Sequence, residues 1–148
     1  MVNTYTDYVD SDNGAQSIER IGGEVTLEEI YIDFSEFNVV ATDIVQLFNV
    51  SKGDTLLSII TEPATAEGAT ATCDLGITTT DPNGLDDSVD LNATTIAVSA
   101  PGTDALIGYK LLADDTVDAV IDNDLDAAKV TFKLLKATAN TSPASDSV

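Results

Sequence analysis

Apolar and polar residues alternate with a period of two through most of the middle of the chain. The clearest case is Ala71–Thr78, whose apolar set is Ala71, Cys73, Leu75 and Ile77. Threonine, aspartate and glycine occupy the positions between them. Because successive side chains of a strand point to opposite faces of a sheet, this segment is predicted to be a strand with one buried and one wet face.

The same period predicts seven further strands, separated by turn-forming residues. They lie at Val25–Phe34, Asp43–Val50, Thr55–Thr61, Thr94–Ser99, Ala105–Leu112, Thr116–Ile121 and Lys129–Lys136. In the first, the apolar positions change parity across Glu28 and Glu29, which predicts a β-bulge. Ser51–Asp54 contains a glycine and predicts a tight hairpin connection. The one predicted helical element is a short turn around Asp124–Ala128.

Eight short strands with turn signals between them predict an all-β fold, an antiparallel β-sandwich or jelly roll. We expect this domain to span residues 24–136. Residues 1–23 are polar and turn-rich and are interpreted as an extended N-terminal arm. Residues 137–148 form a low-complexity C-terminal tail with nothing to bury.

The arm contains four candidate contact residues, Tyr5, Tyr8, Ile18 and Arg20. The two tyrosines are amphipathic rings with little apolar sequence around them, and such residues often serve as anchors at interfaces. Two interpretations stay open: the rings dock on a neighbouring subunit, or they pack back onto their own domain.

The charge is strongly one-sided, with 26 carboxylates against six basic residues and a formal net charge of −20 on 148 residues. A surface this negative repels phosphate backbones and anionic membranes, so we expect neither a nucleic acid nor a membrane partner. No apolar run approaches the length that crosses a bilayer. The acidity fits either a surface adapted to high salt or a set of cation sites.

The residue types argue against an enzyme. The chain has no histidine, which removes the side chain most used for proton transfer and for transition-metal ligation. Cys73 lies on the apolar face of its predicted strand, where a thiol is a small inert hydrophobe. A pair of aspartates could act as in a glycosidase, but the chain has no Trp on which to stack a sugar.

The densest acidic segment, Asp81–Asp90, is the candidate metal site. Its oxygen donors are of the kind that Ca²⁺ and Mg²⁺ prefer, and the candidate ligands are Asp81, Asn83, Asp86, Asp87 and Asp90. The segment is not an EF-hand loop, because Gly84 stands at its fourth position rather than its sixth. The alternative is a solvated loop, since Asp, Asn, Pro and Gly are also turn residues.

Four stretches, in this order along the chain, carry a resemblance to a known class of protein: Ile30–Phe34, Asp43–Val50, Thr65–Leu75 and Gly84–Ala93. Together with Ala113–Asp118 they resemble small virion structural proteins of tailed viruses of aquatic bacteria or archaea. Capsid decoration (cement) proteins are the most similar class. The resemblance covers roughly residues 24–136 and contains no catalytic signature.

The resemblance implies a β-sandwich or jelly-roll head that forms homo-oligomers, often trimers, on the outer surface of an icosahedral capsid. Such proteins bridge major capsid subunits, and the arm residues would then contact the capsid or a neighbouring subunit. The protein would be made in the host cytoplasm, and its acidity suggests a marine or halophilic host. Alternatives are another virion part, such as a head fibre, tail or baseplate protein, or a Ca²⁺-dependent glycan-binding module.

Overall fold

The computed structural model describes residues 24–139. These residues form eight β-strands and one 3₁₀ helix, Phe34–Glu36. The strands are β1 (Val25–Asp33), β2 (Ile44–Val50), β3 (Thr55–Thr65), β4 (Thr72–Ile77), β5 (Asp81–Asp90), β6 (Ala97–Val98), β7 (Asp115–Ile121) and β8 (Lys129–Ala137). Within this part of the chain, no helix is long and apolar enough to span a bilayer.

The strands form two four-stranded antiparallel sheets, so the predicted all-β sandwich is confirmed. The first sheet has the order β1-β8-β3-β6 and the second has the order β2-β7-β4-β5. Strand β1 pairs with β8, β2 with β7, β3 with β6 and β4 with β5. A long antiparallel hairpin rolled up on itself produces this set of pairs, which is the topology of a jelly roll.

The core between the two sheets is mainly aliphatic. Its largest fully buried side chains include Phe34, Phe132, Leu56, Leu75 and Ile121. Cys73 is buried among them, as predicted, and this burial raises the pKa of its thiol far above the ordinary value. The thiol therefore stays protonated and acts only as a packing group.

Strand β1 does not contain the predicted bulge. It pairs residue for residue with β8, from Val25 opposite Ala137 to Asp33 opposite Lys129. The apolar positions change parity because Val25 and Leu27 point to solvent, where both are more than half exposed, and not to the core. The sequence pattern therefore marked an apolar outer face and not an extra residue.

The connection Ser51–Asp54 is tight, as predicted, but it is not a hairpin. The Asp54 N–H donates to the Ser51 carbonyl at 2.9 Å, and Gly53 has a φ of +92°, which favours glycine. However, β2 belongs to the second sheet and β3 to the first. The turn therefore carries the chain from one sheet to the other.

Three predicted elements near the end of the domain differ from the structure. In place of the strand predicted at Ala105–Leu112, residues 105–108 form turns, in which the Ile107 N–H donates to the Asp104 carbonyl at 3.1 Å, and Lys110 forms an isolated bridge with Thr55. Leu106 is buried from the turns and Leu111 from beside the bridge, so their burial did not require a regular strand. No helical turn forms at Asp124–Ala128, and the predicted strand Thr94–Ser99 is reduced to the two residues of β6.

The Glu67 carboxylate takes the place of the missing helical turn. It accepts hydrogen bonds from the N–H groups of Asp126, Ala127 and Ala128, at 2.9, 3.1 and 3.0 Å. Burial alone would raise the pKa of Glu67, but these bonds and one from the Asp126 side chain outweigh it, so its pKa is lowered. One side chain thus fixes the β7–β8 connection to the β3–β4 connection.

We expect Glu67→Gln to lower the free energy of unfolding by about 2 kcal/mol, because hydrogen bonds to a charged acceptor are the stronger kind. Denaturant unfolding at neutral pH measures this change. The matched control is Glu36→Gln at an exposed position, which should shift stability by less than about 0.5 kcal/mol. Equal effects of the two substitutions would contradict the role of Glu67 as a clamp.

A candidate assembly surface

The sequence placed candidate residues in two regions. Tyr5, Tyr8, Ile18 and Arg20 lie outside the described residues. The acidic candidates Asp81, Asn83, Asp86, Asp87 and Asp90 lie on β5, the edge strand of the second sheet.

The predicted acidic loop is therefore a strand. Leu85 and Val89 are buried, and the pairing of β5 with β4 places Val89 opposite Cys73, so burial of the apolar residues outweighs the turn propensities of the others. The strand is irregular, because its pairing with β4 shifts register twice, once between Cys73 and Leu75 and again between Leu75 and Ile77. Ser88 has a φ of +56° beside the first shift.

The candidate cation site stays a prediction. Among residues 24–139, no group of three or more aspartate, glutamate or cysteine side chains is arranged to hold a metal ion. A calorimetric titration with Ca²⁺ tests the prediction directly, and the absence of affinity below millimolar would contradict it.

Carboxylates on the second sheet and in the loops beside it crowd one another. Burial raises the pKa of Asp86, and the negative charge of Asp104 raises it further. Burial also raises the pKa of Asp74, to which the charge of Asp122 and a hydrogen bond with Asp87 contribute. One oxygen of Asp86, Oδ2, is buried without a hydrogen-bond partner among the described residues. This side of the molecule therefore holds negative charge at a cost to stability.

Because the pKa of Asp86 is raised, the direction in which the stability of the protein changes with pH can be predicted. The unfolded chain has the ordinary value of 3.8, so the folded protein binds this proton more tightly and loses stability as pH rises through the folded pKa. We expect Asp86→Asn to stabilise the protein at pH 7 by about 0.5–1 kcal/mol, allowing for solvent screening.

The gain from Asp86→Asn should vanish below about pH 4, where the carboxyl is protonated in both states. Thermal unfolding of the variant and the wild type across this pH range measures it. Asp90→Asn is the control, because it removes one charge at an exposed position and keeps the acceptor for the Asn92 N–H. A larger gain for Asp90→Asn would contradict the assignment to burial.

Charge is segregated by sheet. The four strands of the second sheet carry no basic residue, and their carboxylates are Asp74, Asp81, Asp86, Asp87, Asp90, Asp115 and Asp118. The four strands of the first sheet carry three lysines, Lys129, Lys133 and Lys136, with four carboxylates, Glu28, Glu29, Asp33 and Glu62. The first sheet is therefore almost neutral and the second strongly negative.

The outward side chains of the first sheet form what we call the first-sheet face. Cross-strand register places residues in rows across this face: Leu27 beside Leu135, and Ile60 beside Val98. Its apolar members are Val25, Leu27, Tyr31, Ile60, Val98 and Leu135. Four of these, Val25, Leu27, Tyr31 and Val98, are more than half exposed. A face with so much exposed apolar surface is typical of an interaction site.

The charges on the first-sheet face are largely paired. The Lys133 ammonium lies 3.1 Å from the Glu62 carboxylate, and that of Lys129 lies 3.8 Å from Asp33. Hydrogen bonds from Ser35, together with this lysine, lower the pKa of Asp33. Paired charges add little net field, so this face can approach another protein without the repulsion that the rest of the surface exerts.

An apolar groove continues the first-sheet face around the open side of the sandwich, between the edge strands β1 and β2. It has a volume of about 810 Å³ and is lined by residues 30–34, 36–39 and 44–46. Tyr31 belongs both to the groove and to the first-sheet face. Phe37 and Ile44 also line the groove and are exposed to solvent. The apolar surface thus extends over one face and one edge.

Sequence reasoning missed this surface. Its signal was present in the apolar residues that alternate along Val25–Tyr31, but we assigned their change of parity to a bulge. The other residues of the first-sheet face come together because strands that are far apart in the sequence pair with each other. A single sequence does not determine that pairing.

No protein-family model matches the chain, and no curated protein sequence matches it. Solved structures with a similar fold do exist. A chain of the Cyanophage Pam1 capsid asymmetric unit matches with a TM-score of 0.63 and 13% identity, covering 90% of this chain and 98% of that one.

Two further capsid structures match. A chain in the capsid of Ralstonia phage GP4 has a TM-score of 0.61 and 17% identity, and covers 82% of this chain and 89% of that one. A chain in the acidic stable capsid of Helicobacter pylori bacteriophage KHP30 has a TM-score of 0.55 and 13% identity. The match covers 78% of this chain and 89% of that one. The protein therefore shares its fold, over most of its length, with chains found in three bacteriophage capsid structures.

Proposed function

We propose that this chain is a structural virion protein that decorates an icosahedral capsid and stabilises it by bridging major capsid subunits. The segregation of charge between the two sheets is the observation that carries the proposal. The shared fold with chains of phage capsid structures supports it. The role needs no catalytic group and no cofactor.

The two faces suit opposite environments. Burying the first-sheet face would remove exposed valine, leucine and tyrosine from water, at about 25 cal/mol for each Å² of apolar surface. Burying the second sheet would strip water from carboxylates that have no basic partner on their own sheet, which is strongly unfavourable. We therefore propose that the first-sheet face rests on the capsid shell and the second sheet faces solvent.

The remaining parts of the proposal concern assembly and location. The proposed partner is the major capsid protein, on the outer surface of the virion, with the chain acting as a homo-oligomer, of which a trimer is favoured. The net charge of −20 suits a coat that faces a salty medium, where screening relieves self-repulsion. A marine or halophilic host agrees with that charge.

Rebinding to capsids tests the proposed function. Purified chain is added to capsids of its virus that lack it, and the bound fraction and the temperature of capsid rupture are measured. Saturable binding and a higher rupture temperature are expected. Capsids that bind none of the chain would contradict the proposal, and labelled chain on tails or baseplates would favour another virion part.

A further inference from the structure

Lys136 occupies a core-facing position near the end of β8. The residues that precede it on the same side of this strand are Val130, Phe132 and Leu134, and all three are fully buried. Lysine is almost never buried in this way unless its charge is paired. The Lys136 ammonium therefore lies at the end of the core, where water has little access to it.

Two carboxylates contact this ammonium. Asp54 Oδ2 lies 3.1 Å from Lys136 Nζ and belongs to a buried residue, and Glu28 Oε2 lies 3.1 Å from the same nitrogen. The Asn49 carbonyl, at 3.5 Å, is the third acceptor. Among residues 24–139, no other lysine contacts two carboxylates. The nitrogen thus lies between a buried carboxylate and a second one that is placed to accept its protons.

We propose that Lys136 and Asp54 condense to an amide bond, with Glu28 transferring the protons, so that β8 becomes covalently joined to the turn between β2 and β3. The new bond joins Lys136 Nζ to Asp54 Cγ, and the bond between Cγ and one carboxylate oxygen breaks. The ammonium loses two protons, which Glu28 carries in turn to the departing oxygen, and one water molecule leaves. The step uses no oxidant, reductant or cofactor, and the ion pair is its reactant state.

The fold holds the reacting groups in contact. Groups held in a reactive geometry behave as if present at an effective concentration of about 10⁵–10⁸ M, which favours condensation. Both distances to Lys136 Nζ fall within the range for proton transfer, roughly 2.6–3.2 Å. Because both carboxylates contact one nitrogen, the path for the protons is short. Burial of Lys136 and Asp54 also excludes the water that would reverse the reaction.

Condensation also removes two buried charges. The attraction within a buried ion pair offsets the cost of desolvating it only in part. The product is a neutral amide, whose N–H can donate to Glu28 and whose carbonyl oxygen can accept from the Ser51 N–H, which already donates to Asp54 at 2.9 Å. The Glu28 side chain is 41% exposed, so its remaining charge stays in contact with water. The reaction needs only the folded domain, so the proposal goes beyond the proposed function and does not depend on it.

The intact mass of the purified full chain tests the proposal. We expect the wild type to weigh one water molecule less than its sequence requires. The variant Lys136→Arg should have its full mass, because a guanidinium keeps the positive charge but does not condense with a carboxylate. Digestion of the wild type with trypsin should release a branched peptide, in which the fragment that begins at Gly53 is joined to one that contains Lys136. Thermal unfolding verifies that the variant is folded.

The wild type contains an internal control. Lys133 Nζ also lies 3.1 Å from a carboxylate, that of Glu62, but this pair is partly exposed and no other described carboxylate contacts the lysine, so it should give no branched peptide. Glu28→Gln should form the link at least about 100-fold more slowly, measured as the linked fraction against time after cell-free synthesis. Full mass in the wild type, or a water loss that maps elsewhere in the chain, would overturn the proposal. Equal rates in Glu28→Gln and the wild type would overturn the role of Glu28.

Discussion

Capsids that lack this chain should bind the double variant Leu27→Asp, Tyr31→Asp about 100-fold more weakly than the wild type. Both side chains are exposed on the first-sheet face, at 56% and 58%, so the substitutions leave the core intact. In the docked state they would replace apolar contacts by two buried carboxylates. A loss of about 3 kcal/mol, which corresponds to that factor, is a modest estimate for such a change.

The matched control adds the same charge on the other sheet. Asn49→Asp with Asn83→Asp alters two exposed positions on β2 and β5, and should change binding by less than about threefold, as expected for exposed positions outside the interface. Cosedimentation with capsids measures both variants, and thermal unfolding verifies that each is folded. Normal binding of the Leu27→Asp, Tyr31→Asp variant, or equal losses in both variants, would contradict docking through the first-sheet face.

Lys136→Met should lower the free energy of unfolding by about 3–5 kcal/mol, the range found when one partner of a buried ion pair is removed. The Lys136 ammonium lies 3.1 Å from the carboxylates of both Asp54 and Glu28, and 3.5 Å from the Asn49 carbonyl. Only 8% of the Lys136 side chain and 4% of the Asp54 side chain are exposed. Without the lysine, the buried Asp54 charge has no counter-ion among residues 24–139.

Lys136 links the two sheets, so its substitution is expected to destabilise the whole domain and not one strand. The lysine is on β8 of the first sheet, Asn49 is on β2 of the second, and Asp54 lies in the turn that joins the sheets. Lys133→Met is the control: its pair with Glu62 is partly exposed, and such pairs contribute about 0–1 kcal/mol. Denaturant unfolding compares the two variants. A Lys136→Met effect no larger than that of Lys133→Met would contradict the structural role of the buried lysine.

Much of the fold could be predicted from local pattern. Strand β8 alternates throughout between buried and half-buried positions, β4 does so from Thr72 to Leu75, and the sequence predicted both strands within one or two residues. An antiparallel sandwich exposes one face of each sheet, so apolar and polar residues alternate along its strands and the alternation can be read in the sequence. The single buried cysteine was predicted for the same reason.

The errors arise where burial and local propensity disagree. Asp81–Asp90 contains proline, asparagine, glycine and four aspartates, and was predicted to be a loop. Pairing with β4 and burial of Leu85 and Val89 make it a strand. Ala105–Leu112 is the opposite case, because Leu106 and Leu111 are buried although the segment forms turns and an isolated bridge and not a regular strand.

The candidate surface depends on topology, which a single sequence does not supply. Lysines at positions 129 and 133 balance carboxylates at 33 and 62 only because β8 lies between β1 and β3. The total charge was plain from composition, but its division between the two sheets was not. The orientation that we propose for the molecule on the capsid rests on the same division of charge.

An image of the native virus particle, at a resolution that separates the two sheets, tests the proposed orientation most directly. We predict the jelly roll on the outside of the capsid, with Leu27, Tyr31 and Val98 buried against major capsid subunits and β5 exposed to solvent. Contact with the shell through the second sheet, or density for the chain elsewhere in the particle, would contradict it.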